Sequence, residues 1–157
     1  MSDLFTDLPD NPASDLPDGD DPLHWIDWTT VQQSRASDPA SSAWVSANAG
    51  SGKTHVLTQR VIRLLLAGCR PSAILCLTYT KAAASEMSNR VFQRLSEWTV
   101  LSDDELRTRI AAIEGHEPDS MKIAEARRLF AKALETPGGL KIQTIHSFCA
   151  ALLRRFP

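Results

Sequence analysis

Ala47-Asn48-Ala49-Gly50-Ser51-Gly52-Lys53-Thr54 is the stretch from which the rest of the chain is read. A short apolar run, Ala43-Trp44-Val45, precedes it and reads as a buried strand. Residues His55 to Ala67 follow, and their apolar positions Val56, Leu57, Val61, Leu64 and Leu65 recur at helical spacing. Strand, glycine loop and helix in that order are the setting in which a phosphate-binding loop is credible. Gly50 and Gly52 let the backbone turn without a Cβ in the way, so that successive N–H groups converge on phosphate oxygens. The helix N-terminus adds unpaired donors and the positive end of its dipole. Lys53 is then expected to reach the β and γ phosphates of a bound nucleotide, and Thr54 to place a hydroxyl on Mg²⁺. The loop opens on Ala47, where the usual pattern has glycine.

Bulk composition sets the frame. With 157 residues the chain is long enough for one domain with a proper core, and 43% hydrophobic against 23% charged residues is ordinary for a soluble globular protein. The net charge of −2 hides an asymmetry. Residues 1–34 hold eight Asp and no Lys, Arg or Glu, so the remainder sets all 17 basic residues against the other 11 of 19 acidic ones, a balance of +6. A basic body with an acidic arm is compatible with a polyanionic ligand, although solvated surface charge gives the same numbers. Cys69, Cys76 and Cys149 form no metal-like pairs, and the apolar neighbours of Cys76 and Cys149 suggest reduced structural thiols. No apolar run reaches membrane-spanning length and the acidic N-terminus lacks a basic secretory start, so a cytoplasmic location is expected.

Residues 1–22, rich in Asp and Pro, have little to bury and are expected to be a disordered acidic arm. A short helix is expected over Thr30 to Ser37, carrying Gln32 and Gln33. Gly68 is placed to end the post-loop helix in a left-handed cap. Ile74 to Thr78 is a continuous apolar run, as for a strand buried on both faces. A helix from about Lys81 to Trp98 follows, with Ala84, Met87, Val91, Leu95 and Trp98 inward and Thr80 as its cap. Ser102-Asp103-Asp104-Glu105 reads as a capping box opening a helix to about Ile113, and a further helix runs from Asp119 to Glu135. Leu140 to Ile145 alternates as a third strand, and His146 opens a last helix. Strands alternating with helices predict an α/β fold with a parallel sheet flanked by helices, and about three strands make it the opening portion of a larger domain.

Two strand ends carry further polar groups. Thr78, Tyr79, Thr80 and Lys81 sit at the carboxyl end of one strand, the edge where open α/β sheets bind ligands. Their hydroxyls and amine suit backbone phosphates and Tyr79 suits a base, while a capped helix beside a buried tyrosine would look the same in sequence. Thr144, His146 and Ser147 occupy the matching junction after the next strand, where a lone histidine is more often structural than catalytic. The acidic cluster Asp103 to Glu105 is explained by helix capping and is not read as an Mg²⁺ ligand.

In combination, Gln33, the loop, Leu77-Thr78-Tyr79-Thr80-Lys81-Ala82-Ala83-Ala84-Ser85-Glu86-Met87 and Thr144-Ile145-His146-Ser147-Phe148-Cys149 resemble the UvrD/Rep group of superfamily-one DNA helicases. In that group alanine commonly opens the phosphate loop, which accounts for Ala47. Lys81 followed by Ala82, together with Pro137-Gly138-Gly139-Leu140-Lys141-Ile142-Gln143-Thr144-Ile145-His146, is most similar to the RecB/AddA branch and its AddA-like helicase–nuclease subunits.

The resemblance implies a RecA-like P-loop NTPase fold, of which residues 23–157 would be the amino-terminal part, with a helical insertion at about 99–136. It implies that Gln33, or its neighbour Gln32, reads adenine, and that Ala47, Asn48, Ala49, Gly50, Ser51, Gly52, Lys53 and Thr54 bind ATP with Mg²⁺ on Thr54. Thr78, Tyr79, Thr80, Lys81, Thr144 and His146 would contact DNA. The implied activity is ATP-driven translocation on single-stranded DNA and unwinding of duplex DNA in double-strand break repair. It would be exerted by a helicase with a nuclease domain and an AddB-like partner subunit. A nucleotide kinase, or an inactive fragment acting only as a binding module, are the rival readings of the loop alone.

Overall fold

The computed structural model describes residues 22–46, 48, 50 and 52–156. The expected acidic arm, apart from Pro22, lies outside them, as do Ala47, Ala49 and Ser51 of the loop. The chain divides into two units, Met1–Arg35 and Ala36–Pro157.

The described part of the first unit is helix α1 (Pro22–Ala36), whose last residue belongs to the second. The helix is longer than the stretch Thr30 to Ser37 expected. Proline at the first helical position is favoured there, because its fixed φ suits the helix and its missing N–H would have no intrahelical partner. Thr29 and Thr30 turn their hydroxyls back onto the carbonyls of Trp25 and Ile26 at 2.7 and 2.9 Å, so both hydroxyls are satisfied within the helix. Trp25 and Trp28 pack edge to face with centroids 6.1 Å apart.

The second unit runs α2 (Lys53–Leu66), β1 (Leu75–Thr78), α3 (Lys81–Val100), α4 (Asp103–Glu114), α5 (Ser120–Glu135), β2 (Lys141–Thr144) and α6 (Ile145–Leu153). Helix α2 ends as expected at Gly68, φ +84°. The N–H of Gly68 donates to Leu65 O and that of Cys69 to Leu64 O, a double closure that satisfies two orphan carbonyls. Strands β1 and β2 are parallel, with Leu75 opposite Lys141 and Thr78 opposite Thr144. Three helices form the crossover between them, so the two strand ends meet although 66 positions separate them in the chain.

The core lies among α2, α3, α4 and α5. Ala84, Met87, Val91, Leu95 and Trp98 are the buried face of α3, as their spacing predicts. Ile62 and Leu65 of α2, Leu106 and Ile110 of α4, and Leu129 of α5 close around them. Arg127 of α5 ties the α3–α4 corner, donating to the carbonyls of Trp98 and Leu101 and to the Asp103 carboxylate.

Several expectations fail. Ala43-Trp44-Val45 forms no strand, and the described residues hold one sheet of two strands rather than about three. A strand exists only through a paired neighbour, and neither β1 nor β2 runs beside this segment, which leaves Trp44 91% exposed. Strand β1 is not buried on both faces: Leu75 and Leu77 are exposed while Cys76 and Thr78 are half-buried, because the helices contacting it cover one side. On α2 the inward positions are Ile62 and Leu66 in addition to Val56, Val61 and Leu65, while Leu57 faces outward. Cys149 is exposed rather than apolar-packed. The last helix starts at Ile145, one residue before His146, because Thr144 serves as its cap.

Candidate functional site

The glycine loop enters α2 through left-handed backbone. Gly50 has φ +83° and Gly52, the N-cap, has φ +86° and ψ 13°. Both are conformations that a Cβ disfavours, which is why glycine stands at each. Gly52, lacking a side chain, makes no side-chain cap of its own at this helix start. Lys53 is the first helical residue and donates from Nζ to the Asn48 carbonyl at 2.6 Å, across the loop. The Thr58 hydroxyl donates to the Thr54 carbonyl at 2.8 Å, fastening the first turn from inside, where Thr58 is buried. Ala47, Ala49 and Ser51, also expected to bind phosphate, fall outside the described residues.

These features fit a triphosphate: successive left-handed glycines feed a helix N-terminus, with an amine and a hydroxyl at its first two positions. For Mg²⁺ the fit rests on the Thr54 hydroxyl. Among the described residues no group of three His, Cys, Asp or Glu side chains comes together as a metal site, but Mg²⁺ in nucleotide sites takes few protein ligands and completes its shell from phosphates and water. The acidic cluster is occupied elsewhere, as its sequence predicts. Ser102 and Glu105 form a reciprocal capping box, and Asp103 pairs with Arg127 at 2.6 Å.

Beside the loop a cleft of about 430 Å³ is lined by Ala36, Ser42, Ala43, Val45, Lys53, Val56, Leu57 and Arg60. Four of these sit at i, i+3, i+4 and i+7 on α2, the positions that share one helix face. Arg60 closes its far end. Its guanidinium donates to the carbonyls of Ala36, Asp38 and Ser41 at 3.3, 2.7 and 2.5 Å. The sequence reading missed Arg60: its seven-residue spacing from Lys53 puts it on the loop's side of α2 but says nothing of its partners.

The two strand ends form a second group. Thr78 and Thr144 are register partners, so Tyr79 and Thr80 lie beside the start of α6. The Thr78 hydroxyl donates to Thr80 O at 3.0 Å, and the Thr80 hydroxyl accepts from Ala83 N to cap α3. That cap uses an acceptor lone pair, so the Thr80 O–H remains a donor suited to a phosphate oxygen. Lys81 opens α3 and is exposed. Tyr79 is 85% exposed, which removes the reading of a buried tyrosine beside a capped helix. Thr144 is buried; its hydroxyl accepts from Ser147 N at 3.1 Å and is hydrogen-bonded to the Ser147 hydroxyl at 2.9 Å. It therefore caps α6 and holds the turn on which the exposed His146 stands.

Gln32 and Gln33 are half-buried on α1, in the first unit. Thr78, Thr80 and Thr144 form these hydrogen bonds within their own strand-to-helix turns, as Thr54 does within the first turns of α2. Burial pushes the Cys76 thiol above its ordinary range, consistent with an inert packing role.

The family model described as UvrD/REP helicase N-terminal domain matches residues 28–157. Curated relatives are named as the A subunit of an ATP-dependent helicase/nuclease. Those of Lactobacillus gasseri and Enterococcus faecalis are 33% and 34% identical over 129 residues. That of Desulforudis audaxviator is 36% identical over 132 residues. Each alignment covers 82% of this chain and 9% of the relative, so the chain spans about a tenth of the length of the proteins it matches. No solved structure matches it. No helix among the described residues is long and apolar enough to cross a membrane.

Proposed function

Because the chain belongs to the family of UvrD/REP helicase N-terminal domains, we propose that it is the ATP-binding part of a motor that moves along single-stranded DNA and unwinds duplex DNA. The observation that carries this reading is the pair of left-handed glycines, Gly50 and Gly52, feeding Lys53 and Thr54 at the start of α2. In it, Asn48, Gly50, Gly52 and Lys53, together with Ala47, Ala49 and Ser51, cradle the ATP phosphates, and Gln33 (or Gln32) reads adenine. Thr54 offers Mg²⁺ its hydroxyl; when bound, the ion offsets the negative charge of the phosphates. Thr80 and Lys81 grip backbone phosphates of single-stranded DNA, Tyr79 stacks on a base, and Thr78, Thr144 and His146 shape the neighbouring contact.

The proposal includes a RecA-like P-loop fold for the domain, an acidic arm over residues 1–22 and a helical insertion at about 99–136, where α4 and α5 lie. The relatives named as helicase/nuclease A subunits support a role in double-strand break repair, alongside a nuclease domain and an AddB-like partner. The test is ATP turnover by the full-length gene product with and without single-stranded DNA. Turnover is expected to rise with DNA and to fall by at least about a hundredfold in Lys53→Ala, the scale of losing one charge-stabilising donor. A wild-type protein indifferent to single-stranded DNA sinks the helicase reading and leaves the kinase or binding-module alternatives.

A further inference from the structure

Arg60 is engaged in a way that core packing does not require. It stands two turns along α2 from Lys53, on the same face, at the end of the cleft that Lys53, Val56 and Leu57 also line. Its guanidinium holds three backbone carbonyls, those of Ala36, Asp38 and Ser41. These carbonyls lie on the segment through which the chain enters the phosphate loop. Within that segment Asp38 Oδ1 accepts from Ala40 N at 2.9 Å in a local turn, and residues 42–46 form no regular structure. A ladder of backbone hydrogen bonds therefore does not set its path, and the guanidinium supplies fixed points instead. A planar fork with five donors can serve three differently directed acceptors at once, whereas an ammonium acts as a point charge.

We propose that Arg60 is a positioning residue of the nucleotide site, resting on the reading of that site as an ATP site. By gripping the carbonyls of Ala36, Asp38 and Ser41 it fixes the path by which the chain enters the loop, and with it the posture of the phosphate cradle. Through Ser41 it also anchors the start of the cleft wall that Ser42, Ala43 and Val45 form beside the face of α2 carrying Lys53. Arg60 touches neither base nor phosphate; it acts through the backbone it holds. Loosening that backbone lowers the affinity for nucleotide and leaves Lys53 and Thr54 to act on whatever nucleotide is bound.

The experiment uses the full-length gene product at saturating single-stranded DNA, comparing ATP turnover by wild type, Arg60→Lys and Arg60→Gln. Thermal melting of each variant is followed in parallel. The expected result is a rise of about tenfold or more in KM for ATP with kcat held within about threefold, the signature of lost binding rather than lost transition-state stabilisation. The melting temperature of Arg60→Lys stays near wild type. An unchanged KM in both variants overturns the proposal, and so does a fall in kcat at unchanged KM. Loss of folding in Arg60→Lys overturns it too, since Arg60 would then be a general stabiliser. A wild-type protein that neither binds nor turns over ATP fails the parent reading instead, and the inference falls with it by a route independent of Arg60.

Discussion

Gly50 shows how much of the site is decided by one torsion. An added Cβ there would meet nothing within 4 Å, so its φ of +83°, and not crowding, is the constraint. Gly50→Ala is therefore expected to cost about 1–2 kcal/mol in the loop conformation by the left-handed penalty alone. A loop can relax out of that conformation without unfolding its domain. The loss should accordingly appear as weaker nucleotide binding with little change in melting temperature, and Gly50→Asn should recover part of it. Equilibrium titration with a fluorescent ATP analogue reads both variants; equal affinity for wild type and Gly50→Ala would show that the left-handed turn is not needed. Tyr79 gives the complementary case, a side chain with almost no structural duty. Being 85% exposed, it can be truncated without a packing cost. In the full-length protein Tyr79→Ala is expected to weaken single-stranded DNA binding by about 1–3 kcal/mol, the worth of one stacked base, with Tyr79→Phe close to wild type. Filter binding at fixed salt decides it, and equal affinity for all three proteins would remove Tyr79 from the interface. Identity and spacing made Lys53, Thr54 and Tyr79 stand out in the sequence as candidates. Arg60 was not readable, because its partners are backbone carbonyls and carry no side-chain signature.

At the scale of elements, the helices and the two paired strands β1 and β2 were legible, and the strand expected before the loop was not. Helix α3 announces its buried face through Ala84, Met87, Val91, Leu95 and Trp98, and its start through Thr80, all within one continuous stretch. Helix α4 does the same through Ser102 and Glu105, whose side chains satisfy each other's backbone donors. This cap gives a pH prediction. Hydrogen bonds from Ser102, side chain first and backbone second, hold the Glu105 carboxyl below its ordinary range. A depressed folded-state pKa means that the unfolded chain takes up the proton first. The stabilisation is thus present at neutral pH, falls away as pH drops through the ordinary carboxylate range, and is gone below the folded-state pKa. Glu105→Gln should remove that part of the acid sensitivity of α4, and amide exchange at the first turn of the helix as a function of pH would show it. Identical pH profiles in wild type and variant would mean the charged form of the box contributes nothing. Strand Ala43 to Val45, in contrast, was misread because a strand's existence depends on a neighbour elsewhere in the chain. An apolar run predicts burial but not which ladder, if any, receives it. The same dependence explains why β1 reads as doubly buried in sequence and has Leu75 and Leu77 in solvent.

The whole second unit combines a well-formed helical core with the proposed nucleotide loop, whose catalytic complement is not found among the described residues. The core is firm enough to test separately. Trp98 is 1% exposed, yet its indole N–H has no hydrogen-bond partner among the described residues. Trp98→Phe should therefore lose some packing while relieving an unsatisfied donor, and cost far less than Trp98→Ala, expected at about 3–5 kcal/mol. Denaturant melts of the two variants compare them directly; a loss in Trp98→Phe as large as in Trp98→Ala would overturn the expectation, by showing that a phenyl ring recovers none of the packing. The site makes the opposite prediction about sufficiency. Hydrolysis of a nucleoside triphosphate calls for an acid that helps hold Mg²⁺ or orients the attacking water, and for a cation on the developing charge. The two adjacent strand ends present Thr78 and Thr144, not a carboxylate, and in the acidic run Asp103 to Glu105 the outer two members are engaged, Glu105 in the cap of α4 and Asp103 with Arg127. Arg60, the arginine lining the loop's own cleft, is turned onto three backbone carbonyls. Purified residues 1–157 are accordingly expected to bind Mg²⁺–ATP weakly through the loop and to give no steady release of phosphate, with or without single-stranded DNA. Lys53→Ala should abolish the weak binding, which ties it to the loop. Sustained turnover by residues 1–157, lost in Lys53→Ala, would overturn this division by showing that the acid and the cation are already present within them.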